Sequence, residues 1–121
     1  MVIENGTLRR VEPADIINGA CVVPGGTTHI RDCAFGNCRD LTQITLPGSL
    51  MHIGKGAFYN CKSLKEITLP SGLTYIGDCA FYNCKSLKGA TLPSGLTHIG
   101  DYAFHNCPRI GESALSNNKT G

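Results

Sequence analysis

The sequence predicts a β-rich repeat solenoid with four coils of 23 residues each, and two observations lead to this prediction. The first is that the stretch ITLPSGLTYIGDCAFYNCKSLKG, residues 67–89, recurs with substitutions but without a gap at residues 21–43, 44–66 and 90–112. The second is that the apolar residues within one copy fit neither a continuous helical period nor a continuous strand period. A fixed period of this length is typical of structural units that stack on one another.

Each copy contains two short segments that favour extended backbone. In the third copy, residues 67–69 place two apolar side chains on one face and a threonine on the other, which predicts a short strand. Pro70 then removes a backbone donor and ends this strand. A second extended piece at residues 74–76 leads into residues 78–81, for which we expect a tight turn or a 3₁₀ segment. Short strands of successive coils should therefore pair in parallel.

The repeats divide the chain into a cap, a solenoid and a tail. We assign residues 1–20 to an N-terminal cap, residues 21–43, 44–66, 67–89 and 90–112 to the four repeats, and residues 113–121 to a degenerate fifth coil and a polar tail. One coil cannot bury its inner side chains alone, so the coils must stack and the ends of the stack need caps. The 121 residues, of which 17% are charged, fit a single domain with a net charge of +2.

Two recurring positions make predictions about the backbone. An asparagine precedes the same cysteine in every copy, and since asparagine tolerates left-handed backbone, we expect a positive φ at each of these residues. They are Asn37, Asn60, Asn83 and Asn106. A glycine follows the second strand in three copies, but Arg31 takes its place in the first copy, so we expect no positive φ there.

The seven cysteines are predicted to be reduced, and most of them to be structural. Four of them share one inward repeat position, where a thiol packs as a small hydrophobe: Cys38, Cys61, Cys84 and Cys107. Their Cα atoms would lie close enough for disulfides, but side-by-side side chains give poor geometry for that bond. Cys33 and Cys79 occupy a more exposed turn position. Their spacing from the inward cysteines is not that of a zinc site, and no metal site is predicted.

The pattern LxxIxLPxxLxxIGxxAFxNC resembles the BspA-like (treponemal-type) leucine-rich repeat family over all four units. The resemblance implies a curved β-rich solenoid of the kind found in bacterial surface proteins and in some protozoa. Such proteins are generally taken to bind proteins or surfaces. The family offers no catalytic motif that could be transferred to this chain.

Two rows of side chains should lie on the outside of the solenoid. His29, His52, Tyr75 and His98 share the position before an inward isoleucine and should form one row. Stacked imidazoles could bind a metal or sense pH, but a row of half-buried surface rings is the simpler interpretation. Basic residues form the second row, at two repeat positions: Arg39, Lys62 and Lys85, with Lys65 and Lys88 three residues further on. We interpret this basic row as a solvent-exposed edge that favours solubility, in preference to a binding site for an acidic protein, a membrane or a nucleic acid.

Catalysis has little support in the sequence. It contains no nucleophile elbow, phosphate-binding loop or pair of carboxylates, so we predict no enzyme and no cofactor. Charged residues interrupt residues 1–20, and neither a signal peptide nor a membrane span is predicted. We therefore expect a cytoplasmic protein or one that is exported without an N-terminal signal. The family resemblance adds the cell surface as an alternative.

The predicted function is that of a non-catalytic binding module for a protein partner, with no role in nucleic-acid binding. In leucine-rich repeats the strand that follows the cysteine lines the concave side, so the resemblance places the binding residues there. They are Gln43, Thr45, Lys65, Glu66, Thr68, Lys88 and Thr91. The alternative is a structural element whose copies associate end to end through their terminal coils.

Overall fold

The computed structural model describes residues 1–110 of the 121-residue chain. This part contains short strands and one 3₁₀ helix, Pro13–Asp15. The strands are β1 (Val2–Glu4), β2 (Thr7–Arg10), β3 (Ala20–Val22), β4 (His29–Ile30), β5 (Gln43–Thr45), β6 (His52–Ile53), β7 (Glu66–Ile67), β8 (Tyr75–Ile76) and β9 (His98–Ile99). The predicted tail, residues 113–121, and the end of the fourth repeat lie outside the described residues.

The strands form two sheets, one for each extended segment of the repeat. The larger sheet has the order β1-β2-β4-β6-β8-β9, and the smaller has the order β3-β5-β7. Apart from the β1–β2 hairpin, all strand pairs are parallel. Pairing joins each residue to its equivalent 23 positions later, for example Ile30 to Ile53 and Ile53 to Ile76. The predicted solenoid is confirmed.

The third side of each coil is a run of hydrogen-bonded turns that also stack in register. Phe35 N–H donates to the Ala57 carbonyl, and Phe58 N–H donates to the Ala80 carbonyl, each over 2.7 Å. Residues 78–81 form such turns, whereas the one 3₁₀ helix of the described chain lies near the N-terminus. Backbone hydrogen bonds therefore join successive coils on all sides.

A stack of phenylalanines fills the centre of the coils. The rings of Phe35, Phe58, Phe81 and Phe104 follow one another at centroid distances of 5.0, 5.1 and 5.0 Å. The first three of these residues are fully buried. Since neighbouring rings are within 6° of parallel, each ring covers the face of the next one.

The inward cysteines form hydrogen bonds in addition to filling the core. The thiol of Cys61 donates to the Phe35 carbonyl over 3.0 Å, and the thiol of Cys84 donates to the Phe58 carbonyl over 3.1 Å. Each of these thiols thus bonds to the backbone of the preceding coil. Cys38 is only half-buried, in contrast to the fully buried rung that the sequence predicts, because no earlier coil of the same length lies beneath it.

The asparagine prediction is confirmed. The φ angles of Asn37, Asn60, Asn83 and Asn106 are 62°, 59°, 63° and 60°. Their side chains also form a ladder, in which Asn60 donates to Asn37 and Asn83 donates to Asn60 over 2.9 Å. The left-handed turn and the amide ladder together explain why asparagine recurs here.

A second left-handed position was not predicted. It is occupied by Cys33, Gly56, Cys79 and Tyr102, whose φ angles are 61°, 59°, 56° and 60°. Glycine suits this conformation, whereas cysteine and tyrosine rarely adopt it. The residue types do not indicate the conformation, because three of the four residues disfavour it.

The N-terminal segment extends the solenoid by one partial coil. Strand β2 pairs in parallel with β4, and Leu8 is fully buried opposite Ile30. The spacing between these two residues is 22 instead of 23, so the repeat alignment does not show the relation. The terminal ammonium of Met1 lies 2.7 Å from Asp15, and this hydrogen bond lowers the pKa of the Asp15 carboxyl.

Candidate functional site

The seven predicted binding residues lie on the smaller sheet and its continuation, and we call them the outer strip. All seven are exposed, whereas the intervening Ile44, Ile67 and Ala90 are buried. Pairing places Gln43 beside Glu66 and Glu66 beside Gly89. The alternation of the strand therefore places Gln43, Thr45, Glu66, Thr68 and Thr91 on one face. Lys65 and Lys88 precede the paired residues of their coils, and both are exposed beside this face.

The smaller sheet weakens from one coil to the next. Three residue pairs join β3 to β5, two join β5 to β7, and a single bridge joins Glu66 to Gly89. Val23 N–H donates to the Thr45 carbonyl over 2.9 Å. Within residues 1–110, the equivalent bond between Leu69 N–H and the Thr91 carbonyl is not formed. The loss is greatest at Gly89 and Ala90, which supply neither strand propensity nor a large inward side chain.

An open groove of about 410 Å³ lies between the third and fourth coils, on the side of the smaller sheet. Three residues of the outer strip line it, namely Glu66, Thr68 and Thr91. Ile67 and Leu69 contribute its apolar wall. With the hydroxyl of Ser71, the groove combines one carboxylate, three hydroxyls and an apolar surface, which is a combination that can hold a partner side chain.

The charged residues of the outer strip have no ion-pair partners within the described chain. The ion pairs found there join Met1 to Asp15, Arg9 to Glu4 and Arg10 to Glu12, all near the N-terminus. Lys88 N–H donates to the Lys65 carbonyl over 2.8 Å, which sets the two lysines on neighbouring coils. Like charges at this spacing repel each other, so an acidic group from a partner would be stabilised here.

Asp32, Asp78 and Asp101 share one repeat position. The first two have a structural role that sequence reasoning missed. Asp32 Oδ1 accepts a hydrogen bond from Lys55 N–H, and Asp78 Oδ1 accepts one from Asp101 N–H, both over 2.9 Å. Each carboxylate thus bonds to the backbone of the next coil. Within the described residues, neither aspartate forms an ion pair with the exposed Arg39, Lys62 or Lys85.

Two exposed apolar residues at the first coil were also missed. Val22 occupies the repeat position of Thr45, Thr68 and Thr91, and its side chain is 64% exposed. Ile17, which bridges to Ala20 beside it, is 69% exposed. The repeat alignment could have identified Val22, whereas the place of Ile17 depends on the cap. At the first coil, the surface next to the outer strip is therefore apolar.

The predicted row of His29, His52, Tyr75 and His98, which we call the histidine row, is confirmed as an outward ladder on the larger sheet. Successive ring centroids lie 5.1, 4.2 and 4.4 Å apart. Within residues 1–110, no group of three or more His, Cys, Asp or Glu side chains could hold a metal ion.

A second surface stack was not predicted. Tyr59 stacks on Tyr82 at 5.5 Å, and Tyr82 stacks on His105 at 5.3 Å. Tyr102 meets His105 edge to face. This stack lies on the turn side of the coils, so the fourth histidine of the chain belongs to a different surface from the other three.

Comparison with known families decides which group of repeat proteins this fold represents. The family described as "BspA type Leucine rich repeat region (6 copies)" matches residues 19–120. The chain belongs to this BspA-type leucine-rich repeat family. Its members are repeat proteins that generally mediate protein interactions and are generally not enzymes.

Several solved bacterial structures are similar to this BspA-type chain. A leucine-rich repeat protein of T. pallidum shares 27% identity at a TM-score of 0.67, over 77% of this chain and 56% of that one. A leucine-rich repeat protein of Bacteroides ovatus shares 33% identity at a TM-score of 0.65, over 70% of this chain and 24% of that one. A leucine rich cell surface protein of Faecalibacterium prausnitzii shares 27% identity at a TM-score of 0.54, over 87% of this chain and 34% of that one.

The chain thus spans about half, or less, of the length of these solved relatives. No curated protein matches it. Among residues 1–110, no helix has the length and the apolar character needed to cross a membrane.

Proposed function

We propose that this BspA-type repeat protein is a non-catalytic module that binds a protein partner through the outer strip. The observation that carries the proposal is a set of charged and hydroxyl side chains beside an open groove, which are exposed and form no ion pairs within residues 1–110. Such a strip offers a partner a long series of contacts. The resemblance to leucine-rich repeats supports its placement on the concave side.

The interior of the coils supports a binding role over a catalytic one. Phenylalanine rings fill the centre, and buried thiols donate to backbone carbonyls. Burial raises the pKa of the Cys61 thiol to about 12, so this cysteine stays protonated and is a poor nucleophile at neutral pH.

The proposed setting is the surface of a bacterial cell, because one similar structure is described as a leucine rich cell surface protein. The cysteine content alone favours a reducing compartment such as the cytoplasm. The structure weakens that argument, since Cys61, Cys84 and Cys107 are buried and inaccessible to oxidants.

The test replaces Lys65, Glu66 and Lys88 together by alanine. We expect binding to be lost, because these residues supply the charges of the outer strip. The free energy of unfolding should change by less than about 1 kcal/mol, because all three side chains are exposed. Both quantities can be measured, by pull-down from extracts of the native source and by urea denaturation.

The matched control replaces His52, Tyr75 and His98, which lie on the larger sheet. Binding should survive this change. If the control variant loses binding while the triple alanine variant keeps it, the partner uses the opposite face and the proposal is wrong.

End-to-end association is the second candidate function, and it is favoured by the exposure of Ile17 and Val22 beside β3, which is an edge strand of the smaller sheet. It requires the mass of the particle to rise with protein concentration. Binding through the outer strip requires no such rise, so light scattering over a concentration series separates the two candidates.

A further inference from the structure

We propose that the histidine row is a proton-sensitive contact between successive coils, which weakens their pairing when its imidazoles become charged. Its residues belong to the strand pairs themselves, because His29 pairs with His52, His52 with Tyr75, and Tyr75 with His98. A change of charge in the rings therefore acts directly on β4, β6, β8 and β9. This role is separate from the proposed binding strip, which lies on the other sheet.

The stacking geometry makes double protonation of the first two rings unfavourable. The centroids of His29 and His52 lie 5.1 Å apart at an angle of 29°. Two imidazolium ions at this distance repel each other, and a like charge disfavours the charged form of its neighbour. The other face of His52 is covered by Tyr75 at 4.2 Å, so water can reach His52 only from the side.

The charged groups around His52 act in opposite directions, and the unfavourable ones prevail. Burial is the largest cause that lowers the pKa of His52, and the positive charge of His29 is the next. Asp32 raises this pKa, and His98 lowers it. Asp32 also accepts the Lys55 N–H through Oδ1 over 2.9 Å, so its carboxylate is shared with the backbone of the second coil.

The sign of the effect on stability follows from proton linkage. A histidine whose pKa is lower in the folded state binds protons more readily after unfolding. Its stabilising contribution is complete above the unfolded pKa of about 6.5 and is lost as the pH falls below that value. Acid should therefore favour separation of the first and second coils, which meet at His29 and His52.

The chain itself supplies a replacement that keeps the ring and removes the charge. Tyr75 stands in the same row and stacks on both neighbours, so tyrosine is compatible with this position. The test compares the thermal midpoint of the natural chain with that of His52→Tyr between pH 7.5 and pH 5.5. We expect the midpoint of the natural chain to fall with pH, and His52→Tyr to lose at least half of that fall.

His105→Tyr is the matched control, because it also places a tyrosine beside a ring stack, that of Tyr59 and Tyr82. This variant should retain the full pH dependence. If His52→Tyr retains it as well, or if His105→Tyr abolishes it, the proposal is overturned.

A second measurement does not depend on the folding of His52→Tyr. The C2 proton of His52, followed by NMR in the natural chain, should titrate at a lower pH than it does in the urea-unfolded chain. The same proton should titrate at a higher pH in His29→Tyr, because a neighbouring positive charge has been removed. An unchanged midpoint in His29→Tyr would show that the rings are not coupled and would contradict the proposal.

Discussion

Replacing Phe81 by alanine is expected to lower the free energy of unfolding by about 3–5 kcal/mol, which is the range for large core aromatics. Phe81 is fully buried, and its ring is covered on both faces, by Phe58 at 5.1 Å and by Phe104 at 5.0 Å. The cavity would open between the third coil and both of its neighbours. Because coils contact only their neighbours, the two halves of the solenoid should then unfold less cooperatively. Urea denaturation measures both effects.

Phe35→Ala provides the comparison. Phe35 is also fully buried, but within residues 1–110 its ring stacks on one other ring, that of Phe58. We expect a smaller loss of stability and no loss of cooperativity, because the first coil lies near the end of the stack. Equal damage from the two substitutions would contradict the view that the centre of the stack couples its halves.

Replacing Gly77 by alanine is expected to cost about 3 kcal/mol, at the upper end for overpacked sites. A Cβ atom at this position would lie 2.6 Å from Lys55 N and 2.8 Å from Gly54 C. Both are backbone atoms of the preceding coil, so neither can move away as a side chain would. Gly77 N–H also donates to the Ile53 carbonyl over 2.8 Å, a bond that the displaced coils would strain. Thermal or urea denaturation of the variant measures the loss.

Gly48→Ala is the control for Gly77→Ala. A Cβ atom at Gly48 would meet nothing within 4 Å. We expect stability to stay within about 1 kcal/mol of the natural chain or to rise slightly, because alanine reduces the freedom of the unfolded state. If both variants lose the same stability, close approach between coils does not explain the recurring glycine.

Much of the fold could be predicted because the same inward residues recur at a fixed interval. The period alone places Phe58 and Cys61 in the core, and the left-handed turn at Asn60 follows from its residue type. Strand β2 could not be predicted from the repeat, because its residue Leu8 precedes its partner Ile30 by 22 residues. Equivalent residues of the repeats are 23 apart. The left-handed backbone of Cys79 could not be predicted, because cysteine rarely adopts this conformation.

The candidate site could be predicted only in part. Alternation along the strand places Thr45 and Thr68 on the outside, and the structure shows both exposed. The groove could not be predicted, because it depends on how the third and fourth coils pack beside Gly89, and no residue type determines that packing. The hydrogen bond from Lys55 N–H to Asp32 Oδ1 could not be predicted either, because it joins residues 23 apart on neighbouring coils.

Photo-cross-linking tests the central claim most directly, because it captures a bound partner at a chosen surface position. A photoreactive phenylalanine analogue would replace Thr68 on the outer strip in one variant and Tyr75 on the larger sheet in another. After irradiation in extracts of the native source, we expect a cross-linked protein with the Thr68 variant and none with the Tyr75 variant. A cross-linked protein formed only through position 75 would contradict the assignment of the outer strip as the binding surface.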